Sequence, residues 1–586
     1  MASRVVASPA PLMSEPSRGD PLFARRIRLS DLTSKAFWIG DYDYKSMLSI
    51  KSKKIPFFGP NECLPVLLAF LLGLQHALAM VGGLVTPPLL LGGAAGAALS
   101  SNEQTYLVSA CLIWCGLGTC LQVSRIPLGK GFYLGSGVLN VIGTSFAFVS
   151  TGLTYLNNQY NREGGMCHFD ADGNKLPCRE AFGAMLGSAS TVAVIAVLLS
   201  FTPPRYLRKI FTPLVTGSVL LTIGLSLMSS GITNWAGGSG CQSGGLCPSA
   251  SAPHPLPFGA PQLIGLGFSV WVSIILFDLF GPPLVKNCSS MLGLIVGMVI
   301  AGATGYFQTS TIREAPAATF LWTTTFPLSV KGELVLPFLA AYLVVVSEAV
   351  GNITATCDAS RLSIEGAEFG QRVQGGLLSD TIWACLAGLA TVPPSTTFSQ
   401  NVSVISLSNN ASRIAGYACA FFLLVMGIFS KFGSIFVAAP ASTIGGLTTF
   451  LFSAVAVAGL KILSGVTWSR RTRFIATVAL SLGFGGAMNP DWFSNFFTYS
   501  GPNHTLRGFL DAITICVEEP YVITILLAVP LNLLLPYGED NLPEHEAAQP
   551  GAIPAPSSVL GSKYVHHDLE AARGEEEMGL EMVDSK

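Results

Sequence analysis

Fourteen stretches of this chain are apolar over most of the length needed to cross a bilayer, and that succession limits the fold more than any motif. A crossing takes about 20 helical residues. Lipid offers backbone N–H and C=O groups no partners, so only helices or closed barrels span it. The stretches lie near 62–90, 104–123, 133–156, 180–201, 210–230, 261–280 and 286–306, then 333–353, 374–392, 395–409 (short and broken), 413–430, 433–460, 472–488 and 508–536. Half of the 586 residues are hydrophobic and only 11% charged, where a soluble protein carries roughly a quarter charged. The chain reads as an all-α polytopic membrane protein. Its net charge of −1 says little about partners, and no basic surface for a nucleic-acid partner is visible. Residues 1–61 have no apolar signal-peptide core and read as a cytoplasmic tail. Residues 537–586, with Glu575-Glu576-Glu577, read as a disordered cytoplasmic one.

Basic residues in short loops set orientation. With the N-terminus inside, Arg125/Lys130, Arg205/Arg208/Lys209, Arg361/Arg372 and Lys461/Arg470/Arg471/Arg473 all fall in cytoplasmic connections. The outer loops then hold two cysteine pairs, Cys167/Cys178 and Cys241/Cys247, and the sequon Asn503-His504-Thr505. On an oxidising side each pair could close a disulfide, free thiols being the alternative, and Asn503 could carry glycan.

Seven spans per half invert the second half relative to the first. Two interrupted segments match across the halves: Gly143-Thr144-Ser145-Phe146-Ala147-Phe148 after Gly135-Ser136-Gly137, and Ser395-Thr396-Thr397-Phe398-Ser399-Gln400 after Pro393-Pro394. Irregular polar chain at membrane depth must be buried in protein or line a cavity. In inverted-repeat transporters, matching interrupted segments mark the substrate site. Chance similarity among Gly-, Ser- and Thr-rich spans is the competing reading.

Glu348 lies near the end of an otherwise apolar span. An ionisable residue there marks a substrate or proton path by default. It can accept from ligand N–H groups or exchange a proton, since burial disfavours a carboxyl's charged form. Gln400 and Asn401 each carry an amide that both donates and accepts. Such an amide can bond bidentately to a heterocycle edge, as Gln and Asn do with adenine. Phe146 and Phe398 could stack on a flat ring or simply pack. Gln75-His76 offers a proton relay or a tether between helices, Asp380 a proton carrier or a cap for an interrupted helix, and Asp278 reads as structural. An acid, an amide and aromatic faces suit a planar, hydrogen-bonding ring. No nucleophile–base pair, metal spacing or phosphate loop points to catalysis.

Gly40-Asp41-Tyr42-Asp43-Tyr44, Gln75-His76, Ser145-Phe146, Ser347-Glu348, Ala355-Thr356-Cys357-Asp358 and Phe398-Ser399-Gln400-Asn401 follow one another in this order. Over roughly 38–536 the chain resembles the nucleobase–ascorbate transporter family (nucleobase–cation symporter family 2), most closely its fungal uric acid–xanthine permeases. The resemblance implies fourteen segments in a 7+7 inverted repeat, with short strand-like pieces in spans three and ten. It implies a core domain at 62–206 and 333–431, and a gate domain at 207–332 and 432–536 that makes homodimer contacts. Substrate would cross the plasma membrane by an elevator-like slide of the core, with protons as coupling ion and no other cofactor. Carried onto this sequence, Glu348 and Gln400 bond the base, Ser145 and Phe146 flank it, and the backbone of Phe398 and Ser399 adds contacts. Asp380, His76, Asn401 and Asn352 support proton coupling or the core. Thr524 and Leu526 filter entry.

Four positions depart from the family pattern. Ser403 replaces a glycine in what the resemblance makes an unwound segment, Ser408 replaces a threonine, Asn409 replaces a common basic residue, and Asn352 stands where related purine permeases have aspartate. The expectation is a proton-coupled purine permease for xanthine and uric acid. Alternatives are a shifted specificity (hypoxanthine, guanine, adenine or uracil), a non-transporting receptor-like paralogue, and an anion carrier or channel. Glu348 speaks against the last, because an anion site built on helix N-termini needs no buried acid.

Overall fold

The computed structural model describes residues 34–536, except 41, 49–55, 163, 171–172, 243–244, 249–253, 494–495 and 498–503. Asp41, Asn503, residues 1–33 of the N-terminal tail and all of 537–586, including Glu575–Glu577, lie outside the described residues, as do the side chains of Arg205 and Arg208. The main helices are α1 (Val66–Gly92), α2 (Ser101–Val123), α3 (Ala147–Asn161), α4 (Arg179–Leu199), α5 (Pro213–Trp235), α6 (Pro261–Phe280), α7 (Ser289–Ala303) and α8 (Gly332–Ala359). They continue as α9 (Gly366–Ala387), α10 (Gln400–Ser408), α11 (Arg413–Ile428), α12 (Ser430–Ala438), α13 (Ala441–Ser464), α14 (Arg470–Met488), α15 (His504–Glu518) and α16 (Pro520–Leu534). Among the described residues, seven of these helices are long and apolar enough to cross a membrane, and up to nine spans result if each bent pair counts as one.

Local sequence explains where these helices start and stop. A capping box opens α2: Ser100 Oγ accepts from the Glu103 N–H, while Glu103 Oε2 accepts from the Ser100 N–H at 3.0 Å. Proline at the first position starts α5 and α6, where a missing N–H costs nothing. The stretch expected as one span at 433–460 is instead two elements. There α12 turns 72° from α11, and Ala439, held extended before Pro440, separates it from α13. The stretch at 508–536 also breaks, at Glu519, where α15 and α16 meet at 88°. Ala355–Asp358, expected as a loop, belongs to the last turns of α8. Glu348 therefore sits about three turns inside that helix rather than near its end.

Packing sorts the helices into neighbourhoods. α11 lies against α1 and α2, and α4 lies against α8 and α9. Separately, α5 packs along α13, which also meets α6, and α6 meets α7. Small residues allow the α5–α13 approach: a Cβ on Gly224 would fall 2.4 Å from the Ala456 backbone nitrogen. Without a hydrophobic drive between helices in lipid, such close backbone contact is what holds a pair together. A small separate unit contains Thr467–Phe474. In it Thr472 Oγ1 donates to the Thr467 carbonyl at 2.9 Å, and Arg471 Nε to the Leu535 carbonyl at 3.1 Å.

Candidate functional site

The two interrupted segments meet. Strand β1 (Ile142–Thr144) pairs antiparallel with β2 (Ser395–Thr397), Gly143 opposite Thr396. Beyond the ladder, the Ser145 N–H donates to the Pro394 carbonyl at 2.9 Å and the Phe398 N–H to the Val141 carbonyl at 3.0 Å. Each strand runs, after two residues, into a helix N-terminus: Phe146 precedes α3 and Ser399 precedes α10. Each residue is the N-cap of its helix, so Phe146 and Ser399 are the equivalent positions of the two junctions, one residue off the sequence match that aligned Phe146 with Phe398. In neither helix does the N-cap side chain accept a first-turn N–H, so both ends keep donors for something else.

Side chains from four helices hold the strand pair. Asn401, fully buried in the first turn of α10, donates its amide to the Leu139 carbonyl at 2.5 Å and turns its oxygen to His76 Nδ1 at 2.8 Å. That assigns His76 the Nδ1–H tautomer and makes it a tether between α1 and α10. Asn352 on α8 donates to the Thr397 carbonyl at 2.8 Å. Asp380 on α9 accepts from Thr396 Oγ1 at 2.9 Å, so it ties β2 to α9 and caps no helix. Thr144 Oγ1 donates to the Leu84 carbonyl of α1 at 3.1 Å.

The aromatic pair is positioned by small residues. A Cβ on Gly143 would lie 2.3 Å from Phe398 Cζ, and one on Gly83 would lie 2.8 Å from the same ring. Phe398 is thus wedged between β1 and α1. Phe146, half-buried, lies parallel to Phe398 with centroids 6.0 Å apart and an 11° interplanar angle, and meets Phe452 of α13 edge-on at 5.5 Å.

Glu348 lines a cleft between α8, α5 and α16. Its walls include Val215, Thr216, Val219 and Ile525, and it reaches Phe211 ahead of α5. Ser347 beside it shares a 2.6 Å hydrogen bond with Thr216 of α5. Neither the Glu348 carboxyl nor the Gln400 amide has a hydrogen-bond or ion-pair partner among the described residues. The Ser145 hydroxyl, buried beside Phe146, is unpartnered too. His76 Nδ1, Asn352, Asn401 and Asp380 Oδ2 are bonded to protein, while Glu348, Gln400 and the Ser145 hydroxyl stay open, as do His76 Nε2 and Asp380 Oδ1.

Other candidates fall elsewhere. Only Glu348, of the proposed substrate contacts, lines the cleft as it stands. Ser399 is exposed, and Ser403 is an exposed residue within α10, not part of an unwound segment needing glycine. Asn409 ends α10 in the left-handed region (φ 50°), which asparagine tolerates. At about 1.5 Å per helical residue, it lies more than 10 Å along the axis from Gln400, too far to touch what Gln400 touches. Thr524 is buried and donates to the Pro520 carbonyl at 2.7 Å. Leu526 is 44% exposed, whereas its neighbour Ile525 faces Glu348. Thr216 and Ile525 escaped sequence reasoning because single residues in apolar helices carry no local signal. Asp278 is exposed near the end of α6. Both loop cysteine pairs are joined, with S–S distances of 2.03 Å (Cys167–Cys178) and 1.97 Å (Cys241–Cys247).

Residues 68–492 match the Permease family designated Xan_ur_permease. The chain belongs to this family. A purine permease of Emericella nidulans is 46% identical to it over 540 residues, spanning 89% of this chain and 93% of that protein. The uric acid-xanthine permease of the same organism is 46% identical over 523 residues (87% and 90%). Xanthine permease XanQ of Escherichia coli is 32% identical over 471 residues (80% and 92%). Membership makes the chain a multi-pass membrane permease and not an enzyme. Among solved structures, the transmembrane domain of a cyanobacterial bicarbonate transporter, BicA, aligns at 11% identity with a TM-score of 0.48, over 78% of this chain and 99% of that one.

Proposed function

We propose that this permease imports purines, xanthine and uric acid first among them, together with protons across the plasma membrane. The observation that carries the reading is that the Glu348 carboxyl and the Gln400 amide both stay open, while Asn401, Asn352 and Asp380 are engaged in holding the strand pair. Xanthine and uric acid present ring N–H donors beside carbonyl acceptors. Glu348 takes the N–H groups, and the Gln400 amide matches an edge carrying one donor and one acceptor. The open N–H groups at the start of α3 and α10 suit the electron-rich carbonyls. A flat base between two rings needs about 7 Å, twice the roughly 3.4 Å stacking rise. Phe146 and Phe398 are closer than that, so the base does not fit between them and stacks on Phe146 alone. The names of the three relatives support the substrate class.

Glu348 is also the group that loads the coupling proton. Transport runs by an elevator-like slide of the core (62–206 and 333–431) against the gate (207–332 and 432–536). Fourteen segments form a 7+7 inverted repeat, the chain works as a homodimer through the gate, and both termini face the cytoplasm. The test of direct contact is Gln400→Glu. An ionised carboxylate accepts but no longer donates, so the order in which unlabelled bases inhibit xanthine uptake should change. An unchanged order at equal surface expression would remove Gln400 from the site.

A further inference from the structure

The helix α3, which follows Phe146, and its C-terminal flank are tied to the α15–α16 elbow by three polar contacts. Ser150 Oγ donates to Glu519 Oε2 at 2.5 Å, and the hydroxyls of Thr151 and Tyr521 lie 2.5 Å apart. At the far end of α3, Arg162 Nη1 meets Asp511 Oδ2 at 2.7 Å and also Glu333 Oε2 of α8 at 3.0 Å. Glu519 is 1% exposed and sits at the 88° bend itself. Ile525, less than two turns further along α16, already faces Glu348.

We propose that the α15–α16 elbow is the outer gate of the transport path. Arg162, Ser150 and Thr151, with Asp511, Glu519 and Tyr521, form the latch that holds it shut. The proposal rests on the reading above, in which α3 and α8 belong to the sliding body and α15–α16 to the opposing wall. On that reading the cleft beside Glu348 reaches toward Phe211, the cytoplasmic side, while the latch closes the end bearing the Cys167–Cys178 loop. The partition of Arg162 between two acids fits a bond that must break in every cycle. Glu333 is on α8 and moves with α3, so the guanidinium keeps one carboxylate when it leaves Asp511. Arg162 and Asp511 are each 31% exposed, so water can take over their vacated positions. Ser150 and Thr151 are hydroxyls on the substrate-bearing helix and gain water when the path opens outward.

The test places Ile525→Cys in the full-length protein and measures its labelling in intact cells by a membrane-impermeant maleimide. Labelling of the same protein without Ile525→Cys is subtracted, because native thiols remain. Losing the charge-assisted Arg162–Asp511 bond, or leaving the Ser150 hydroxyl without its acceptor, shifts a two-state equilibrium by about tenfold or more. Arg162→Gln and Glu519→Leu should each raise the labelling rate by that order. Glu519→Gln keeps an acceptor for Ser150 and should stay near the parent rate. Should a variant fail to reach the surface, Asp511→Asn, which alters only the half-exposed partner, replaces it with the same expectation. Unchanged labelling in the latch variants, or an equal rise in Glu519→Gln and Glu519→Leu, would overturn the latch. Xanthine uptake by the parent is measured alongside. Its absence would defeat the purine reading, while the labelling rates would still decide the gate.

Discussion

Asn401 makes the sharpest energetic claim. Its amide joins the Leu139 carbonyl at 2.5 Å and His76 Nδ1 at 2.8 Å, and Asn401, His76 and Leu139 are all fully buried. Asn401→Ala removes both partners at once, and neither orphaned group can reach water. Leaving a buried polar group unpaired costs about 1–3 kcal/mol, so the pair predicts a loss of about 2–6 kcal/mol. Side-chain hydrogen bonds between membrane helices average only ~0.6 kcal/mol, because the freed groups usually find other partners. That escape is closed on the His76 side, where Nε2 already has no partner. The larger figure should therefore win. A double-mutant cycle of Asn401→Ala with His76→Ala, read by reversible unfolding in mixed detergent micelles, separates the two. Removing His76 as well abolishes one orphan, so the double variant should recover about 1–2 kcal/mol relative to additivity. Full additivity, or a loss below ~1 kcal/mol for Asn401→Ala, would refute the tether as the support of the α10 N-terminus.

Gly143→Ala would bring a Cβ to within 2.3 Å of Phe398 Cζ, an overpacking worth about 1–3 kcal/mol. Uptake should fall sharply and be partly restored by Phe398→Leu in the same chain; failure of any such rescue would show that the ring is not what the glycine accommodates. Lys175, in the loop closed by Cys167 and Cys178, donates to Asn157 Oδ1 at 2.6 Å, and burial pushes its pKa down to about 8. The folded state then holds fewer protons than the unfolded one above that pH, so stability should rise between about pH 8 and 10.5. Lys175→Met should flatten that rise in thermal unfolding, and an identical pH slope in the variant would remove Lys175 as its source.

Element type was legible where the chain repeats one message for twenty residues, as in α1 or α13. Boundaries failed where a single residue decides them. Pro440 and Pro520 each split what hydropathy merges, because a window average cannot register one missing N–H. Ala355–Asp358 looked like loop because Thr356 and Asp358 are polar, yet Thr356 is buried and donates to Asn140 Oδ1 at 2.6 Å. At the site, side chains with a forced chemistry were easiest to find: Glu348, Gln400, His76 and Asp380 stand out as polar residues in apolar helices. What each does was harder to read, since scaffold and ligand groups share residue types. Asn352 and Asn401 are bonded to protein while Gln400 is not, a distinction made only when 142–144 comes to lie against 395–397. Glu519 and Asp511 carried no signal in the sequence, their partners being more than 300 residues away.

The most direct test of the account is radiolabelled xanthine uptake at acidic and alkaline external pH, in cells lacking their own purine carriers. The protein and its Glu348→Gln variant would be compared at matched surface levels. The account predicts uptake that rises as external pH falls and is blocked by unlabelled uric acid. Glu348→Gln should abolish that uptake or strip it of its pH dependence. Normal, pH-dependent uptake by the variant would contradict the central claim that the open carboxyl of α8 binds the base and carries its proton.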